Sequence, residues 1–131
     1  MREDYALRVT IDALFDEALA RVKSELKAEG FGVLTEIDVR ETFREKLGVD
    51  FRPYAILGAC NPPLSHRALS HESDAGLVLP CNVIVYQDDA GTTVAIADPT
   101  VIARPLGKPA LEGVAREARE KLARVAAALR N

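Results

Sequence analysis

Hydrophobic and polar residues alternate along this chain in two rhythms, and the switches between them mark successive strands and helices. Tyr5, Leu7 and Val9 alternate with Ala6, Arg8 and Thr10, the period-two pattern of a strand with one buried face. Asp12 is placed to cap a helix. Over residues 13–29 the spacing lengthens, with Phe15, Leu19, Val22 and Leu26 at helical intervals and Gly30 suited to a left-handed C-terminal cap. Period two returns with Val33, Thr35, Ile37 and Val39 on one side of a strand and Leu34, Glu36 and Asp38 on the other. A short charged helix over residues 40–48 comes next, anchored by Phe43 and Leu47 and stopped by Gly48.

From Tyr54 to Cys60 the chain is almost continuously apolar, as expected of a central strand covered on both faces. Asn61 is a preferred N-cap residue, and Pro62 fits the first helical position, where a missing N–H costs nothing. The helix they start carries Leu64, Ala68 and Leu69 inward and Arg67 outward, then frays over residues 70–74. Pro80 cannot donate to a ladder and so belongs at the start of the next strand, residues 81–87. A turn at residues 88–91 returns the chain as a partner strand over residues 92–98, the clearest hairpin in the sequence. A proline-punctuated connection then holds one helical turn at residues 100–103. The last helix starts near Pro109 with an apolar stripe of Leu111, Val114, Ala118, Leu122, Val125 and Leu129. Fewer than three heptads favour packing of this stripe on a sheet over a coiled coil.

The polar faces of the first two strands argue for an antiparallel sheet, because a parallel one is covered on both sides. The expected fold is therefore α+β, a single domain with a mainly antiparallel sheet of about five strands and helices packed on it. With 131 residues, 48% hydrophobic and 28% charged, the chain has the size and composition of one globular domain. No apolar run approaches the roughly 18 residues of a membrane span. Residues 1–5 open acidic and lead into no apolar signal region, so the chain is expected to be cytoplasmic and without a membrane partner. A net charge of -3, spread evenly, and the absence of Trp argue against nucleic acid as a partner.

Two cysteines in a cytoplasmic chain are expected to be free thiols, and Cys60 and Cys81 are too far apart for a Cys-x-x-Cys motif. Cys60 immediately precedes a helix N-terminus, where free amides and the dipole favour a thiolate. That placement suits a nucleophile, a redox-sensing thiol or a soft-metal ligand. The plainer reading is a small side chain where strand and helix pack closely. Each cysteine is followed by an asparagine, and antiparallel neighbouring strands would bring Cys60-Asn61 and Cys81-Asn82 to one end of the sheet. Joined by His66 one turn into the helix, the two thiols could bind zinc or copper if a fourth ligand came from solvent or another subunit; otherwise His66 is a surface residue. Glu36 and Asp38 share a strand face about 7 Å apart. They suit a cation or acid/base chemistry, or simply a polar outer face. No phosphate-binding loop, nucleophile elbow or zinc-protease motif is found.

Several blocks together carry a resemblance. Glu29-Gly30-Phe31-Gly32-Val33-Leu34-Thr35-Glu36-Ile37-Asp38, Tyr54-Ala55-Ile56-Leu57-Gly58-Ala59-Cys60-Asn61-Pro62, Leu79-Pro80-Cys81-Asn82-Val83 and Asp98-Pro99 resemble, in order, the signature blocks of Domain of Unknown Function family 302. The resemblance implies a curved antiparallel sheet with helices packed on it, similar to the TATA-binding-protein-like fold, and a homodimer. It assigns no catalytic residue and no cofactor, and Glu36, Asp38, Cys60, Asn61, Cys81 and Asn82 carry over as signature positions only. The leading expectation is a homo-oligomeric binding or accessory module holding a small molecule beside Cys60-Asn61 and Cys81-Asn82. One alternative is a thiol-dependent redox enzyme, sensor or soft-metal protein using Cys60 and Cys81. Another is a structural protein acting through its dimer surface.

Overall fold

A computed structural model describes residues 5–130, so the acidic opening over residues 1–4 lies outside the described chain. Strand β1 (Ala6–Ile11) turns Val9 and Ile11 into the core, as its alternation requires. Helix α1 (Phe15–Ala28) begins later than expected, at an N-cap, Leu14, that offers no side-chain acceptor, and Asp12 stays exposed and caps nothing. The cause is a tether from a distant part of the chain: Thr92 Oγ1 donates to Ala13 O at 2.8 Å and fixes the turn before the helix. Gly30 closes α1 with φ +86°; its N–H donates to Lys27 O and that of Phe31 to Leu26 O, a Schellman motif.

Strand β2 (Gly32–Asp38) departs from simple alternation. Val33 pairs with Ala59 but Thr35 pairs with Gly58, so Leu34 is an extra residue, a bulge that reverses the faces beyond it. Val33, Glu36 and Asp38 consequently point to the helix-covered side, whereas Thr35 and Ile37 point to the open side. Helix α2 (Val39–Leu47) is capped by Asp38, whose Oδ1 accepts from Glu41 N at 2.9 Å. Phe43 packs edge-on against Phe51, but Leu47 is exposed, because this nine-residue helix reaches the rest of the fold by one side only.

Strand β3 (Tyr54–Cys60) leads into α3 (Pro62–His71), where Asn61 Oδ1 accepts from Leu64 N. Leu64 and Ala68, four residues apart, are buried; Leu69 lies one step off that stripe and is exposed. The stretch expected to fray, residues 70–74, is ordered: its first two residues complete α3, and the rest open a 3-10 segment, Ser73–Val78, capped by Glu72. A two-residue turn joins β4 (Cys81–Asp88) and β5 (Gly91–Ala97), and α4 (Pro99–Ile102), a 3-10 turn and α5 (Pro109–Leu129) complete the chain.

All neighbouring strands pair antiparallel in the order β1-β5-β4-β3-β2. The central strand is therefore β4, with β3 beside it. Helices α1, α3 and α5 pack on one face over Leu57, Val83, Val85, Val94 and Ile96. Burial of each such side chain contributes about 1.5–3 kcal/mol. The opposite face carries Tyr54, Ile56, Ile84, Ala95 and Ile37 in aligned positions, with Tyr54 stacked on Tyr86. The continuous apolar run of β3 thus has one face on the core and one on this open side.

Candidate functional site

The β3–β4 register places Ala59 opposite Cys81 and Gly58 opposite Asn82, so the end of β3 and the start of β4 coincide. Both cysteine–asparagine pairs therefore stand at one end of the sheet. Gly58 is needed there for space: a Cβ on it would collide with Thr35 Oγ1 and lie 2.8 Å from Pro80 Cγ. Cys60 Sγ is 3.2 Å from Ser65 Oγ in the first turn of α3. Asn61 is buried and committed at both ends of its amide, with Oδ1 on Leu64 N and Nδ2 reaching Glu29 O at 3.5 Å. It ties the end of α1 to the start of α3.

The start of α3 differs from an ordinary anion-binding helix end. Pro62 and Pro63 have no N–H, Leu64 N donates to Asn61 Oδ1, and Ser65 N donates to Asn61 O. The free amides expected beside Cys60 are thus absent or occupied. Cys81 is half-buried, and its thiol is pushed up to about 11, chiefly by burial and secondarily by neighbouring Cys60. It is protonated at neutral pH.

Beside this corner lies a cavity of about 370 Å³, bounded by the sheet end, α3, the 3-10 segment, α4 and α5. Its walls include Phe31, Leu64, Leu79, Ile102, Leu111 and Val114, and the polar residues on its boundary are Asn61, Ser65, Cys81 and Asn82, the last on the opposite sheet face by its register with Gly58. No charged side chain lines it among the described residues. Seven of the lining residues are alanines, from β3, β5, α3, α5, the 3-10 segment and the turn after α4, and the space exists because these positions stop at a methyl group. Three ion pairs bind the walls together: Arg67 with Glu117 at 2.9 Å joins α3 to α5, Lys108 with Glu72 at 3.5 Å joins the end of α3 to α5, and Arg119 with Asp98 at 2.9 Å joins α4 to α5. Burial raises the Asp98 carboxyl, but hydrogen bonds from Thr100 and Arg119 outweigh it and hold the group below its ordinary range.

Asn61, Cys81 and Asn82 border the cavity, and Cys60 reaches it only through Ser65. Glu36 and Asp38 lie elsewhere: Glu36 pairs with Lys23 of α1 at 2.6 Å, and Asp38 caps α2. His66 is exposed and off the cavity wall, and no group of three or more His, Cys, Asp or Glu side chains among the described residues could hold a metal. Cys60, Cys81 and His66 therefore do not converge as a metal site. Sequence reasoning does not reach the cavity walls; the available signal is alanine at inward positions of facing helices.

The model of the family described as Domain of unknown function DUF302 matches residues 7–129. The chain belongs to the DUF302 family. A crystal structure of an uncharacterized conserved DUF302 protein from Bacillus stearothermophilus is similar over 98% of this chain and 100% of its own, at 33% identity and a TM-score of 0.90. No curated protein matches. The DUF302 fold therefore extends over nearly the whole chain and includes every element around the cavity. No helix of the described DUF302 chain is long and apolar enough to cross a membrane.

Proposed function

We propose that this protein is a homo-oligomeric binding module that holds a small molecule in the cavity beside Cys60-Asn61 and Cys81-Asn82. The observation that carries the reading is the cavity: about 370 Å³ of mostly apolar-walled space, within the range of about 300–1,000 Å³ usual for small-ligand sites. The protonated Cys81 thiol and the occupied amides at the start of α3 favour binding over thiol chemistry. A panel of neutral, anionic and cationic compounds of about a dozen non-hydrogen atoms, sized at about 30 Å³ per water-sized group, tests it by thermal unfolding. Some members raise the unfolding temperature of the wild type and none raises that of Ala118→Phe, which fills the space. Ala68→Leu, on the opposite wall, serves if Ala118→Phe does not fold. An absence of hits, or hits that survive a folded cavity-filling variant, overturns the reading.

Homo-oligomer formation rests on a separate observation, the open sheet face. Antiparallel sheets that face water are normally polar outside, yet one transverse row here reads Ala95, Ile84, Ile56 and Ile37, with Arg8 at the far end. Five strands spaced about 4.8 Å, each presenting about six residues at about 3.3 Å, make a face of about 24 by 20 Å. Two copies packed sheet on sheet would bury about 1,000 Å² in total, the lower bound of a specific interface. A two-fold axis along β4 keeps the two Arg8 residues at opposite edges. Sedimentation equilibrium tests this: a wild-type dimer that becomes monomeric in Ile56→Lys and Ile84→Lys is expected, and a monomeric wild type or dimers in both variants overturns it.

A further inference from the structure

The cavity also carries information on what kind of molecule it can hold. Its lining contains no charged side chain among the described residues, and three pairs of charged groups beside its walls are matched to each other: Arg67 with Glu117, Lys108 with Glu72, Arg119 with Asp98. None of these six groups is left without an opposite charge. Moving an ion out of water into an apolar space without a partner is strongly unfavourable. The N-terminus of α3, a backbone feature that could offset this for an anion, is closed by two prolines and by the Asn61 side chain and carbonyl.

Polar recognition in the cavity is correspondingly small. Asn61 uses its Oδ1 on Leu64 N and one Nδ2 hydrogen on Glu29 O, which leaves one amide hydrogen, and the Ser65 hydroxyl shares one hydrogen bond with Cys60 and keeps capacity for another. The Cys81 thiol, held protonated by its burial, adds at most a weak donor. Asn61, Ser65 and Cys81 thus form one neutral polar corner in an otherwise apolar enclosure.

Resting on the binding reading above, we infer that the cavity selects an uncharged, largely apolar molecule of about a dozen non-hydrogen atoms, at about 30 Å³ for each water-sized group, with no more than one neutral polar group directed at Ser65. An organic anion such as a carboxylate or phosphate ester, and an organic cation, are both selected against.

Isothermal titration calorimetry of the full chain with 2-naphthamide, 2-naphthoate and 2-naphthylmethylammonium separates these possibilities, since the ring is constant and the substituents are of similar size but differ in charge. The amide is expected to bind at least ten-fold more tightly than either ion, and Ser65→Ala to weaken the amide several-fold while leaving the unfolding temperature within a few degrees. An ion that binds as tightly as the amide, displaced by the cavity-filling Ala118→Phe, overturns the neutral class and leaves the binding reading standing. Equal affinity of all three probes in wild type and in folded Ala118→Phe overturns the cavity as their site. Binding by none of the three overturns the inference, and the thermal panel then decides independently whether the cavity binds anything.

Discussion

Gly58 shows how far a single residue governs the sheet end. Its missing side chain admits Thr35 from one neighbouring strand and Pro80 from the approach to the other. Gly58→Ala forces one of them aside and is expected to cost about 1–3 kcal/mol, the usual range for overpacking, measured by urea unfolding. Thr35→Ala in the same chain should recover part of the loss. Cys81 makes a different prediction. Its folded thiol titrates near 11, above its ordinary 9.0, so the native state holds a proton that the unfolded chain releases first. The associated stability is complete below about pH 9 and is lost as pH rises through about 11. Cys81→Ala should flatten that alkaline decline, and native Cys81 should resist iodoacetamide at pH 7–9.

At the scale of elements, strand and helix order is legible because each segment obeys one period: β1, α1, β4, β5 and α5 emerge directly from spacing and capping residues. Features set by distant groups escape such a reading. The start of α1 depends on Thr92, nearly eighty residues on, whereas local spacing assigns the cap to Asp12. In β2 the bulge at Leu34 is invisible to a strict alternation, which puts Glu36 and Asp38 on an outer face when they point to the helix side. The meeting of Cys60-Asn61 with Cys81-Asn82 can be read from antiparallel pairing. The cavity cannot, because a void between helices is a property of several small residues at once. The bulge is itself testable: since β2 and β3 keep their pairing on both sides of Leu34, deleting this exposed residue should yield a folded protein with stability changed by less than about 1 kcal/mol. Chemical denaturation checks this, and failure to fold would mean that the bulge holds the strand's twist.

For the whole molecule, one sheet face is covered by helices and the other presents an isoleucine row, so stability and association are linked. If two copies pack through that row, the unfolding temperature rises with protein concentration. Calorimetric scans over a hundred-fold concentration range should show the rise in wild type and its loss in Ile56→Lys.

Strand β1 pairs with β5 alone, Ala6 opposite Ala97, and so the first strand of the sheet to be synthesised completes its far edge. During translation at about 5–20 residues per second, Val9 and Ile11 wait on the order of 4–20 s for their partner to be made. A nascent chain halted before β5 therefore displays a hydrophobic strand without its sheet partner throughout the interval between residues 11 and 97.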